Sequence, residues 1–135
     1  MGDGTSVDSI PRIDSITVGN NIRKNTYYDV HTYPAPAPGP YIISIEDPNR
    51  NSGVVNINNG NSVNVVFYLE SELFINPFLG INNSPVLNNP PIDNACVGFT
   101  FVHNPGAIDI DGDSLYYTLS PSFREGGAAI PNYQF

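Results

Sequence analysis

Apolar or alternating runs of only a few residues, each cut short by glycine, proline or asparagine, leave this chain little to fold into except strands joined by tight turns. The chain of 135 residues carries Gly 12 and Pro 13, and these punctuate it from end to end. Helical i, i+3, i+4 periodicity is missing, and the run lengths match the spacing of an all-β sandwich. Strands are expected over residues 14–18, 27–33, 41–46, 54–57, 63–75, 98–103 and 114–119. Asp47-Pro48-Asn49-Arg50-Asn51-Ser52-Gly53 reads as a turn, and Asn58-Asn59-Gly60-Asn61 as a hairpin turn whose Asn-Gly pair supplies positive φ. Pro34-Ala35-Pro36-Ala37-Pro38-Gly39-Pro40 belongs at an edge or in a loop, because proline lacks the amide that a central ladder needs. The run over residues 63–75 is long for a strand and its alternation is irregular, which predicts a bulge or bend along it.

A hydrophobic fraction of 40% is enough for a core, so disorder is not the default. The polar remainder is rich in Asn, Ser and Thr while only 13% of residues are charged, a balance that disfavours long helices. Residues 76–85 are turn-rich and read as a junction. The expected organisation is a first module over residues 1–83, in which residues 1–25 are unassigned beyond an upstream strand, and the N-terminal part of a second over residues 84–135. Two or three strands remain for the second, fewer than a sandwich needs, so it reads as truncated.

Net charge is −8, with Arg12, Arg23, Lys24, Arg50 and Arg124 the only Lys or Arg residues, so a phosphate backbone would be repelled and nucleic acid is discounted. Cys96 stands alone, which excludes an internal disulfide, a CxxC pair and a cysteine zinc set; its simplest role is a small buried side chain. No apolar stretch is long enough to span a membrane as a helix. Met1-Gly2-Asp3-Gly4 does not open a signal peptide, since no basic residues precede an apolar run. The composition favours an exported protein whose export signals lie outside these residues.

The sharpest constellation is Asp109, Asp111 and Asp113, three carboxylates within five residues that repel unless a cation or solvent relieves them. Oxygen donors at this density suit calcium. An EF-hand is excluded, because counting Asp109 as position 1 puts Ser114 at the glycine place and Ser120 at the bidentate glutamate place. The nearer analogue is a cadherin-like junction, in which an Asp-x-Asp loop meets an Asn-rich linker. Here Asn82-Asn83-Ser84-Pro85-Val86 resembles such a linker, with Asn83 the weaker candidate ligand and Glu70 or Glu72 able to add a carboxylate. The plainer reading is an Asp-rich turn whose side chains bond local amides, with Gly112 in the left-handed position.

Catalysis has no clear seat. His31 and His103 stand far apart, and no Ser-His-Asp grouping or Gly-x-Ser-x-Gly elbow can be picked out. Glu46 and Asp47 should face opposite sides of a strand, while Glu70 and Glu72 form a solvated stripe. The chain is therefore not expected to be an enzyme. Tyr27, Tyr28, Tyr33, Tyr41, Tyr68, Tyr116, Tyr117 and Tyr133 should divide between the core and the surface, where exposed rings could stack on sugars.

The stretch from Ser84-Pro85-Val86-Leu87-Asn88-Asn89-Pro90-Pro91 through Ala95-Cys96-Val97, followed by His103-Asn104-Pro105-Gly106-Ala107-Ile108-Asp109-Ile110-Asp111-Gly112-Asp113-Ser114-Leu115-Tyr116-Tyr117, resembles the repeat region of large Bacteroidetes surface proteins of the gliding-motility-associated kind. Residues 38–51 match the style of that family's preceding module, and the likeness runs from about Tyr27 onward. It implies immunoglobulin-like or cadherin-like β-sandwich modules, export by the type IX system and an extracellular or cell-surface location. It also implies that the second module continues beyond Phe135. The function expected is a structural or adhesive spacer, stiffened by calcium. Its partners would be neighbouring modules of the same polypeptide and a cell-surface glycan or protein. The alternative is a carbohydrate-binding module of an exported polysaccharide-degrading system.

Overall fold

The computed structural model describes residues 2–19, 22–35, 39–91 and 95–133. These residues are arranged in antiparallel sheets and three short 3-10 turns, with no α-helix among them. The all-β expectation therefore holds. The chain divides into two compact units, Met1–Pro77 with Pro121–Phe135, and Phe78–Ser120. That division differs from a boundary at Asn83, because the segment after Ser120 joins the first unit rather than continuing the second.

The first unit begins with a ribbon, β1 (Arg12–Gly19) against β2 (Ile22–Tyr27), whose register shifts by a residue near each end of β1. Among the described residues the two strands pair with no other strand. The upstream strand expected near residues 14–18 is thus present. The one expected over residues 27–33 does not form: β2 occupies Ile22–Tyr27, and residues 28–33 lie in no ladder.

A four-stranded sheet carries the core of this unit. β3 (Tyr41–Asp47) pairs with β4 (Phe67–Leu73) over seven unbroken positions, from Tyr41 opposite Leu73 to Asp47 opposite Phe67. No bulge interrupts that ladder. The irregular alternation of residues 63–75 instead has its cause at the start, where Ser62–Asn64 form a 3-10 turn and β4 begins only at Phe67.

In chain order come β5 (Val86–Leu87) and β6 (Ala107–Ile108) of the second unit. Then β7 (Phe123–Arg124) and β8 (Ala128–Ala129) complete the first unit's sheet in the order β3-β4-β7-β8. Phe123 lies opposite Tyr68, so residues far apart in sequence close the sheet.

Tyr41, Ile57, Tyr68 and Ile130 are its buried apolar side chains. The loop between β3 and β4 is pinned inward rather than extended. Ser62, fully buried, donates its hydroxyl to the Asn51 carbonyl at 2.5 Å and accepts from the Val54 amide at 3.1 Å. Residues 54–57, expected as a strand, turn instead, with the Ile57 amide donating to the Val54 carbonyl. Asn58 and Asn59 hold φ of 47° and 53°, values that asparagine tolerates better than most residues, and they bend the chain without flanking strands to make a hairpin.

In the second unit, β5 and β6 form a two-residue ladder that side chains extend. The Asn88 and Asn89 amides donate to the carbonyls of Gly106 and Pro105. Their side chains donate to the carbonyls of Gly106 and Asn104 at 2.9 and 2.8 Å. Gly106 has φ of 59°, and a Cβ there would stand 2.9 Å from the Asn89 side-chain nitrogen, so glycine is favoured. Residues 98–103 and 114–119, expected as strands, form no ladder.

Candidate functional site

The Asp109 to Asp113 turn is built from its own carboxylates. Asp109 Oδ1 accepts from the Asp111 amide at 2.9 Å and from the Asp113 amide at 3.2 Å, which folds the backbone around it, and Gly112 takes φ of 83°. One carboxylate thereby satisfies two backbone donors that a tight turn leaves without ladder partners.

The asparagines of residues 82 and 83 meet this turn from 28 positions upstream. The Asn83 backbone amide donates to Asp111 Oδ2 at 2.6 Å, and its side-chain nitrogen reaches both Asp111 oxygens at 3.1 Å. With its amide nitrogen turned toward the loop, Asn82 donates to Asp113 Oδ2 at 2.9 Å and Asp111 Oδ2 at 3.2 Å. Asparagine donors therefore offset the mutual repulsion of adjacent carboxylates. The structure brings together Asp109, Asp111, Asp113 and Asn83, with Asn82 of the same linker, but not the two glutamates. Glu70 and Glu72 lie on β4 of the first unit, and Glu70 accepts from the Tyr68 hydroxyl at 2.8 Å.

As donors, the oxygens of Asp109, Asp111 and Asp113 have the hard character calcium requires. Their orientation is set by amide nitrogens, and among the described residues no three or more His, Cys, Asp or Glu side chains are grouped to hold a metal ion.

A second polar cluster lies in the first unit, where sequence reading saw no grouping. His31 Nε2 is 2.6 Å from Asp3 Oδ2, while Thr5 donates its hydroxyl (2.6 Å) and its amide (3.0 Å) to Asp3 Oδ1. The hydroxyl bond from Thr5, then the bond from His31, hold the Asp3 carboxyl well below the usual carboxylate range. Thr5 Oγ1 is 3.5 Å from the same His31 nitrogen that meets Asp3. In a nucleophile–base–acid relay the two partners occupy different ring nitrogens, so this is an anchor for the N-terminal segment rather than a catalytic triad. The His31 ring stacks edge-on against Tyr33, which in turn packs on Tyr41, whose hydroxyl donates to the Pro34 carbonyl at 2.7 Å.

Arg50 is the third feature, and a turn residue gave no signal that it would be buried. Its guanidinium donates to the carbonyls of Val65, Val66 and Phe123 and to the Ser122 hydroxyl, and it lies over the Phe67 ring. Burial lowers its pKa. One side chain thus ties the entry of β4 to β7.

Cys96, expected to be buried, is exposed. Of the tyrosines, Tyr41 and Tyr68 are buried while Tyr27, Tyr28, Tyr116 and Tyr117 are exposed, so the rings divide between core and surface. Glu46 and Asp47 serve the fold: Glu46 accepts from the Gly126 amide at 2.7 Å, and Asp47 accepts from the Asn49 backbone and side chain. No helix among the described residues is long and apolar enough to cross a membrane.

No protein-family model matches this chain, and neither the curated proteins nor the solved structures contain a match to it.

Proposed function

We propose that the chain is a structural or adhesive spacer of an exported bacterial surface protein. In this reading it derives from immunoglobulin-like or cadherin-like β-sandwich modules, and calcium stiffens it at the Asp109–Asp111–Asp113 turn. Its partners are then neighbouring modules of the same polypeptide and a glycan or protein at the cell surface. The reading is supported by the antiparallel all-β fold and carried by one observation, the Asn82–Asn83 segment seated on an Asp-x-Asp-x-Asp turn.

The physical case is a competition for the same oxygens. Without a cation, asparagine N–H groups supply partial positive charge to Asp111 and Asp113. Calcium would supply a full divalent charge, and the asparagine side chains could turn their carbonyl oxygens toward it. Binding only to the folded turn would raise the melting temperature in proportion to the logarithm of calcium concentration. Calorimetry should show that rise, its reversal by chelator and its loss in Asp111→Ala. A melting curve indifferent to calcium would remove the cation from the proposal.

A further inference from the structure

One face of the β1–β2 ribbon carries arginines and no acid. Register sets Arg12 opposite Tyr27, Ser15 opposite Asn25 and Thr17 opposite Arg23. Paired residues share a face, and alternate residues of β2 return to it, so these six side chains lie together. Their bonds agree: Ser15 donates to Asn25 Oδ1 at 2.8 Å, and Arg12 reaches the same oxygen at 3.4 Å. The register shift between Arg12 and Asp14 keeps Arg12 in phase with this face, while Asp14 pairs with Thr26 on the other. All six residues are exposed.

Charge is distributed unevenly between this ribbon and the rest. Three of the five basic residues, Arg12, Arg23 and Lys24, stand on the two strands against one acid, Asp14, in a chain of net charge −8. Neither Arg12 nor Arg23 forms an ion pair among the described residues. The ribbon is also paired with no other strand there, and a lone two-stranded ribbon gains stability from whatever covers it.

We infer that this face docks an acidic polysaccharide, with uronate carboxylates seated on Arg12 and Arg23. The guanidinium matches a carboxylate in a two-pronged bond. Tyr27 offers a ring for a sugar face, and Ser15, Thr17 and Asn25 offer donors and acceptors for hydroxyls. Four strand positions from Arg23 to Tyr27 separate the two arginine levels by roughly 13 Å, a span that a short run of uronate sugars can bridge. Duplex nucleic acid, with a charge every ~1.7 Å, would meet only these few cations on a strongly acidic protein. A second copy would present the same cationic face and no complementary acid on it. The inference rests on the adhesive reading above and gives it a ligand class.

Affinity electrophoresis of the whole chain tests it, in gels containing polygalacturonate or neutral dextran, with chelator present so that the aspartate turn takes no part. Retardation by polygalacturonate alone is expected, weakening about tenfold for each arginine removed in Arg12→Gln and Arg23→Gln and persisting in Arg124→Gln. Absence of retardation, equal retardation by dextran, or a double variant that binds undiminished would overturn the inference. So would preferential retardation by DNA in a parallel gel, or self-association in sedimentation that depends on Arg12 and Arg23. None of these results bears on calcium-dependent melting, so the two readings fail separately.

Discussion

The two units reach order by different physical means. In the first, Tyr41, Ile57, Tyr68 and Ile130 are withdrawn from solvent beneath a seven-position ladder, and buried Arg50 and Ser62 hold the connecting loop to it. In the second, no described side chain is buried, and Phe78, Ile81 and Tyr116 are each more than 90% exposed. What positions its backbone is a set of individual polar bonds from Asn82, Asn83, Asn88, Asn89, Asn104 and Asp109. Apolar burial scales with area and is shared over a whole sheet, whereas each polar bond fixes one turn. The first unit should therefore respond to a single change as a whole, and the second only locally.

Arg50→Met offers the harshest challenge to that contrast. It keeps the stem but removes donors to three carbonyls and a hydroxyl, and should cost the first unit about 3 kcal/mol. Chemical denaturation followed by tyrosine fluorescence would measure it, and a loss below 1 kcal/mol would deny this residue its role as a tie between β4 and β7.

Gly106→Ala tests the second unit with a smaller effect. Forcing a side chain to φ of 59° and against Asn89 should cost about 1–2 kcal/mol locally. Amide exchange should quicken at Asn88 and Asn89 while β3 and β4 remain as protected as before. A change that spreads to β4 would contradict the local character claimed for this unit.

The smallest effect is confined to acid. Asp3 is held below its ordinary 3.8, so its bonds to Thr5 and His31 contribute stability above that pH, and the contribution is lost as pH falls through the lowered value. Asp3→Asn should remove this part of the pH dependence, seen as unchanged His31 and Tyr33 chemical shifts below pH 3.8 where those of the parent chain move. Identical titration in both proteins would show that the N-terminal segment is anchored by something else.

The all-β class and three of the seven expected strands were legible before the structure, and the misses share a cause. β1 and β3 fall close to where alternation placed them, because neighbours in sequence decide which way successive side chains point. Residues 54–57 are as apolar as a strand, yet they turn, since Ser62 captures the Asn51 carbonyl and Val54 amide from eight to eleven residues away. β7 and β8 are two residues each, too short for any pattern, and exist only because Tyr68 offers Phe123 a place in the sheet.

The aspartate turn shows the same division at the scale of a site. Its density of carboxylates and the glycine within it were readable as local chemistry, and so was the neighbouring asparagine pair as a candidate linker. Turn chemistry is set by adjacent residues, which is why composition and order alone determined an all-β chain rich in tight turns. Tertiary structure decided which distant groups meet: Asn83 with Asp111, His31 with Asp3, and Arg50 with the carbonyls of β4's entry and β7. Those pairings depend on how the backbone closes over long separations, and no local pattern encodes the destination of a hydrogen bond that crosses tens of residues.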